Sequence, residues 1–559
     1  MRNNSTPQSS ITFAAHMDNF EISQKLGTYA KVLELHEGNA FKIKALASAA
    51  YTLKKMQEPI LGMPPEKWSE IRGVGKTVSG NISELGETGE LQALKDLLVQ
   101  TPVGIVKILQ IKGLGPKKVR SIWRDMEIDS VEDLYDACRE NRLVEVKGFG
   151  TKTQVEIIRN IEFMLANEGH FHYARIHDFA MDLMIHLQEH LPEALFEFVG
   201  DFARNTDTIE RLDILSDAYP KDFSVALHSL GFTSNDDTLF SNPSGLKVMI
   251  YYSSEEEFEM NDFLLSAHPE HLKLLEFDED EFEAAEEVYS SRELHEIPVE
   301  MREGNRELDW AKKHTQNELV IFEDLKGCLH NHSTYSDGLH SLKDMAGACV
   351  KMGLEYFGIC DHSQSAFYAN GLKVDRLQEQ WEEIDMLNAK TQKIKLFKGI
   401  ESDILNSGAL DYEEDILKQF DFVVASVHSN LKMDEPTATQ RLIKAIENSY
   451  TRILGHPTGR LLLMRQGYPI NHSKIIDACA ANGVCIELNA HPYRLDIDWR
   501  YIYEAMEKGV LISINPDAHQ KEGLYDMKWG VKSARKGGLI KEMCLNAKNL
   551  AEFEGWLSQ

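Results

Sequence analysis

From about residue 325 to the C-terminus, short apolar runs alternate with helical stretches, and almost every run ends in a histidine or an acid. The runs fall at 356–360, 395–400, 422–425, 452–454, 484–486 and 510–514, and a further one precedes His330. Strands separated by helices imply parallel pairing and a barrel-like α/β domain of about seven β/α units. The run ends read His330-Asn331-His332 with Asp337, then Asp361-His362, Glu401 with Asp403, and His428. After these come His456, Glu487 with Asn489, and Asp517-Ala518-His519. The C-terminal strand ends of such a barrel share one face. Alternate residues of a strand share a side, so a His-x-His pair presents both imidazoles together. Each histidine alone is unremarkable, but so many on one face have no packing rationale. Imidazoles and carboxylates in this number suit two or three Zn²⁺ or Mn²⁺ ions. Glu401 is the carboxylate best suited to bridge two of them. Closely spaced ions of this kind serve phosphoester hydrolysis. Arg460, in Gly455-His456-Pro457-Thr458-Gly459-Arg460, reads as a bidentate clamp on phosphate.

The remainder is a different object. Residues 17–180 are helical in pattern and carry a short motif three times. It reads Gly73-Val74-Gly75-Lys76, then Gly113-Leu114-Gly115-Pro116-Lys117-Lys118, then Gly148-Phe149-Gly150-Thr151-Lys152. Paired glycines allow a tight turn and close backbone approach. The helix that follows offers unpaired N–H groups and a positive dipole end to a phosphate. A trailing lysine in every copy favours the sugar-phosphate backbone of DNA as the ligand. Residues 181–252 change to mixed helix and strand. From 253 to about 303 acids are dense, at Glu255-Glu256-Glu257 and Asp278-Glu279-Asp280-Glu281, and 302–318 read as a charged helical linker.

With 559 residues the chain is long enough for several domains. Asp and Glu outnumber Lys and Arg by 89 to 60, a net charge of -29, which argues against a basic nucleic-acid coat or a protein bound to anionic membranes. Local basic patches remain compatible with DNA binding. No apolar run reaches membrane-spanning length, and Met1 to His16 lack an apolar signal region. Seven cysteines without a C-x-x-C pair read as reduced, buried thiols. The expected location is cytoplasmic, at the nucleoid when DNA is bound.

Together His330-x-His332, Ser336-Asp337-Gly338, Asp361-His362-Ser363, Gly399-Ile400-Glu401, Ser426-Val427-His428, Gly455-His456-Pro457 and Asp517-Ala518-His519 resemble the motifs of the polymerase and histidinol phosphatase (PHP) domain. That resemblance implies a trinuclear site of His330, His332, Asp337, His362, Glu401, His428, His456, Asp517 and His519. From about residue 17 the whole chain resembles a bacterial family X DNA polymerase with a C-terminal PHP domain. The implied fold is multidomain. A helix-hairpin-helix domain spans 17–97, a fingers-like domain with two hairpins 98–180 and an α+β nucleotidyltransferase-like palm 181–252. An acidic thumb-like region and linker follow at 253–318, and a (β/α)7-type PHP barrel at 325–559. PHP domains of such proteins are similar to Mn²⁺-dependent 3′–5′ exonucleases and abasic-site endonucleases.

The polymerase-like half departs from its family's pattern. Nucleotidyl transfer needs two ions held by three carboxylates, two of them in an Asp-x-Asp. That pair falls on Arg211 and Asp213, the third Asp on Met249, and the Gly-Ser phosphate turn on Gly200-Asp201. Rescue by Asp207, Glu210 or Asp217 requires a register slip, which turns every side chain to the other face. The family's imine-forming lysine falls on Asn81, which has no amine. The sequence therefore predicts a repair-type metallophosphoesterase on gapped, 3′-end or abasic DNA, with a polymerase-like core that has lost its own chemistry. Competing readings are a small-molecule phosphomonoesterase, a non-catalytic DNA scaffold and a gap-filling polymerase.

Overall fold

The computed structural model describes residues 17–56, 58–243, 245–278, 287–391 and 393–559, in two compact units that divide after Glu168. Residues 279–281 of the second acidic run lie outside the described residues. Among the described residues no helix is long and apolar enough to cross a membrane.

The first unit is helical. Its opening helix, Asn19–Leu35, starts in a capping box: Asp18 accepts from the Glu21 N–H at 2.7 Å, and Glu21 accepts from the Asp18 N–H at 3.2 Å. Ile22 and Leu26, one turn apart, are fully buried in one core with Leu46 and Leu53 of the helix Ala40–Lys55. The three hairpins share one geometry. Gly73, Gly113 and Gly148 take φ of +88°, +89° and +100°, a region side chains disfavour, and Val74, Leu114 and Phe149 between the glycines are buried. Gly75, Gly115 and Gly150 then cap the helices Lys76–Thr88, Pro116–Asp125 and Thr151–Ala166 without any side-chain hydrogen bond. The first-turn N–H groups of these helices have no side-chain cap.

The second unit contains two main sheets. A short pair, β1 (Phe171–His172) with β3 (Thr208–Ile209), lies beside a four-stranded mixed sheet. The latter comprises β2 (Phe196–Val199), β4 (Arg211–Ser216), β5 (Leu239–Ser241) and β6 (Lys247–Tyr252) in the order β2-β4-β6-β5, with β4 and β6 parallel. The expected barrel follows as seven parallel strands in sequence order. They are β7 (Gly327–Cys328), β8 (Tyr356–Ile359), β9 (Lys395–Asp403), β10 (Phe422–Ser426), β11 (Thr451–Leu454), β12 (Cys485–Asn489) and β13 (Ile512–Asn515). Burial on both faces explains their near-continuous apolar sequences.

The seam between β7 and β13 is closed at two levels. At the top, the His332 N–H donates to the Ala518 carbonyl at 2.8 Å. Lower down, the buried Asn546 side chain accepts from the Ile514 N–H at 2.6 Å and donates to the Gly327 carbonyl at 3.1 Å. One amide thus satisfies groups that an adjacent strand would otherwise pair.

The stretch 302–318 is not a free linker. Trp310 is fully buried and donates from Nε1 to the Gly538 carbonyl at 2.9 Å. Glu307 is buried against His271 at 2.8 Å. Its charges suggest a solvated tether only if its partners elsewhere in the chain are left out of view.

Candidate metal centre and polymerase-like sheet

The nine strand-end residues meet at one end of the barrel around Glu401, which is fully buried at the C-terminal end of β9. Its Oε1 lies 3.0 Å from His428 Nε2, 3.0 Å from His456 Nε2 and 3.3 Å from His330 Nε2. Its Oε2 lies 2.8 Å from His362 Nδ1 and 3.7 Å from His332 Nε2. Asp517 adds an oxygen 2.9 Å from His332 Nε2 and 3.8 Å from His330 Nε2. Asp337 reaches His519 Nε2 at 3.2 Å and His362 Nε2 at 3.6 Å.

Ligand atoms within 4.8 Å of one another form three overlapping groups. These are His332, Asp337, His362 and His519; His330, His332 and Asp517; and His362, Glu401 and His428. Several of these atoms are close without being in hydrogen-bond geometry. His330 Nε2, His362 Nδ1 and Glu401 Oε2 are buried and have no hydrogen-bond partner. A buried polar atom left unpaired is costly, and divalent ions held by these groups would satisfy them. The donor set of imidazoles and carboxylates fits such an ion.

A second layer orients the imidazoles. His330 Nδ1 is 2.7 Å from Glu487 Oε2, and His428 Nδ1 is 2.5 Å from Asp403 Oδ1. Each contact turns the other ring nitrogen towards Glu401, the arrangement that fixes ligand histidines in metal sites. Glu487 also accepts from Asn515 at 3.0 Å and from the His456 N–H at 3.1 Å, and Asn489 donates to Asp517 at 3.1 Å. Asp361 is directed away from the centre. It accepts from the Ser333 N–H and Oγ, from Ser336, and from Gln380 Nε2, and so holds the loop that carries Asp337.

The electrostatics follow from this crowding. Burial alone would raise the Glu401 carboxyl, but His428, His330 and His362 hold it well below its usual range. Burial disfavours the charged form of His428, yet Glu401 and Asp403 push its pKa up to about 10. His332, buried and facing His519 and His362, is pushed down to about 3.

Arg460 does not face this centre. Its guanidinium pairs with Asp498 at 2.7 Å and Asp207 at 2.9 Å, and donates to the carbonyls of Arg494 (2.8 Å) and Leu495. It ties the barrel to the loop before β3 with four of its five N–H groups, so it is held as a tether and not as the phosphate clamp read from the sequence. The arginine at the centre is Arg494, in the loop after β12. Its Nε lies 3.8 Å from Asp517 Oδ2, and among the described residues its guanidinium makes no hydrogen bond. Sequence reading missed it because a loop arginine beyond a strand-end Asn489 carries no distinctive signal.

In the mixed sheet, Arg211 Nε donates to Asp213 Oδ1 at 2.8 Å and its Nη2 to the Tyr251 hydroxyl at 3.2 Å. Met249 sits directly opposite Asp213 in the β4–β6 register. The candidate rescuers are occupied elsewhere: Asp207 by Arg460, Glu210 by Lys247 at 3.3 Å, and Asp217 by the Leu195 N–H at 2.7 Å. Asp201 pairs with Arg204. Within the first unit, Lys76, Lys117 and Lys152 are exposed on the first turns after the hairpins, while Lys118 lies 5.6 Å over the Phe149 ring. Asn81 lies on the helix Lys76–Thr88.

Family models match in three places: a PHP domain over 329–491, a helix-hairpin-helix domain over 17–91, and a SAM-like helix-hairpin-helix tandem over 105–162. The chain is 31% identical over 570 residues to the DNA polymerase/3′-5′ exonuclease PolX of Bacillus subtilis (strain 168), covering 96% of this chain and 99% of that one. The chain belongs to the PolX family. A probable phosphatase of Thermoanaerobacter sp. (strain X514) is 27% identical over 230 residues, 39% of this chain and 88% of the relative. Among solved structures, the histidinol phosphate phosphatase of Lactococcus lactis, complexed with zinc, L-histidinol and phosphate, gives a TM-score of 0.31 at 19% identity, covering 38% of this chain and 94% of that one. This PolX family member therefore joins a PolX-like core to a metal-dependent phosphoesterase domain.

Proposed function

We propose that this chain is a DNA-directed phosphodiesterase whose chemistry resides in the PHP barrel, acting at a 3′ end or beside an abasic site, and that its polymerase site is silent. The observation that carries the reading is Glu401, ringed by imidazoles, with its own Oε2, His330 Nε2 and His362 Nδ1 buried and without a hydrogen-bond partner. Nine residues would hold two or three divalent ions, Mn²⁺ or Zn²⁺: His330, His332, Asp337, His362, Glu401, His428, His456, Asp517 and His519. Ions bound there activate water and polarise a phosphoryl oxygen.

The chain's own groups supply the rest. Glu487 and Asp403 hold His330 and His428 in the ligating orientation. Arg494, ion-paired with Asp517 at 3.8 Å but with no guanidinium hydrogen bond among the described residues, offers N–H groups to a phosphate oxygen. The hairpins at Gly73-Gly75-Lys76, Gly113-Gly115-Lys117-Lys118 and Gly148-Gly150-Lys152 grip the backbone without reading sequence. Against a net charge of -29, so few cationic contacts give modest affinity with strong salt dependence. Silence of the polymerase site is supported by Arg211, which neutralises Asp213, and by Met249 where a third carboxylate is needed.

The test is Mn²⁺-dependent digestion of a labelled primer–template, with and without dNTPs, by wild type and Glu401→Gln. Wild type should shorten the primer, and the variant should be slower by at least roughly a thousand-fold, given the several kcal/mol that metal ions contribute. Primer extension would overturn the silent-polymerase reading. Hydrolysis of a nucleoside monophosphate in place of the oligomer would move the assignment to a phosphomonoesterase; the Thermoanaerobacter relative is named a probable phosphatase.

A further inference from the structure

We propose that Phe367 and Tyr368 form a stacking platform for the terminal nucleobase of the strand whose end enters the barrel. The inference rests on the nuclease reading above and adds to it a base-binding subsite. The two rings sit on a single turn, Phe367–Ala369, and are 84% and 70% exposed, whereas Ala366 and Ala369 beside them are fully buried. The alanines anchor the turn and the aromatics project from it.

The turn is held from several sides. The Ser365 N–H donates to Asp411 Oδ2 at 2.7 Å, and Ser365 Oγ donates to Asp403 Oδ2 at 2.8 Å. Gln364 Nε2 reaches the Asp411 carbonyl at 2.6 Å, and the Leu372 N–H returns to the His362 carbonyl at 2.8 Å. A Cβ on Gly371 would fall 1.9 Å from the Ser363 carbonyl oxygen, so the chain packs closely where it closes. Asp403 is the same carboxylate that orients His428, which links the turn rigidly to the candidate metal centre. Two exposed rings on a fixed turn lose little entropy on binding.

Placement identifies the occupant. The Tyr368 ring centroid is 6.2 Å from that of His362. The flank of the centre formed by Asp337 and His519 is its most open, with side chains 20% and 35% exposed, while Glu401 and His330 are closed to solvent. A phosphodiester entering by this flank brings its base within reach of the two rings. Every nucleobase has a π-face, so stacking here is tolerant of sequence, as suits an enzyme that removes any terminal nucleotide. A small phosphomonoester without a base gains nothing from the platform.

The experiment uses the full chain with Mn²⁺ and two labelled single strands, identical except that one ends in an ordinary nucleotide and the other in a base-free deoxyribose residue. The readout is the ratio of kcat/KM for removal of the two 3′ ends. Wild type should favour the base-bearing end. Phe367→Ala/Tyr368→Ala should shrink that preference by roughly 5- to 100-fold, the range for losing one base–aromatic stack, mainly through KM. Phe367→Trp/Tyr368→Phe should retain it. An unchanged ratio in the alanine variant, or equal rates in wild type, overturns the platform and leaves the nuclease reading standing. No digestion of either strand by wild type overturns both.

Discussion

The barrel and the mixed sheet of the second unit each place acids on parallel strands, yet they treat them in opposite ways. In the barrel, Glu401 is closed to solvent and its Oε2 has no hydrogen-bond partner, although imidazoles surround it. In the sheet, Asp213 is largely buried and is satisfied by Arg211, a cation two residues away on the same strand. A site that must bind an ion keeps polar atoms convergent and unpaired, at a cost in stability that the ion repays. In the sheet the carboxylate is instead neutralised by a cation of its own strand. The presence of an acid therefore says less than what completes its valence.

The contrast raises the question of why the sheet persists. Arg460 suggests an answer, because it crosses from the barrel to Asp207 while its Nε holds the carbonyl of Arg494. Arg460→Ala should destabilise the protein by about 3–5 kcal/mol, the usual cost of leaving buried carboxylates without their partner. Thermal unfolding of the full chain measures it. A change within experimental error would mean that the barrel does not depend on its neighbour.

Next in size is the layer behind the ligands. Glu487→Gln should weaken Mn²⁺ affinity or activity about 10- to 100-fold, because His330 loses the group that sets its tautomer while its ring stays in place. Metal titration of wild type and variant, followed by isothermal calorimetry, gives the number. An unaltered affinity would reduce Glu487 to a packing residue.

A smaller effect concerns protons. With its pKa pushed up to about 10 by Glu401 and Asp403, the His428 imidazole is protonated at pH 8 in the absence of an ion, and a ligating imidazole must be neutral. Ion uptake should release protons, so apparent affinity rises with pH by roughly tenfold per unit for each proton lost. Calorimetry in buffers of differing ionisation enthalpy would detect the release. Uptake without it would place the ions away from His428.

The barrel and the convergence of its strand-end histidines and acids on Glu401 were legible in the sequence because local signals sufficed: apolar runs of strand length, each closed by an uncommon residue type. The hairpins were legible for the same reason, since Gly73, Gly113 and Gly148 are needed for a positive φ wherever the loop occurs. What escaped depends on contacts between distant residues. Arg460 follows His456 closely and looks aimed at phosphate, but its partner Asp207 lies 253 positions away. Arg494 has no motif around it, and Asn546 replaces strand pairing at the seam from outside any strand. The segment 302–318 looked like a tether because its charges are visible in sequence, while the pocket that takes Trp310 is assembled from the far end of the chain.

The smallest expected effect is also the sharpest test of the comparison. If the sheet is silent because its carboxylates are gone and not merely masked, removing Arg211 alone should achieve nothing. Arg211→Ala should leave Mn²⁺-dependent digestion at the wild-type level and produce no primer extension with dNTPs. Its effect on stability should be at most about 1 kcal/mol, since the Arg211 side chain is 37% exposed and solvent screens the pair. Even Arg211→Asp would pair Asp213 with one new carboxylate while Met249 still faces it across the β4–β6 register, one ligand short of a two-ion site. Only Arg211→Asp combined with Met249→Asp supplies three carboxylates on adjacent parallel strands. Extension by the single variant would show that the sheet holds a masked polymerase. Extension by the double variant alone would show that the rest of the nucleotide site outlived its metal ligands.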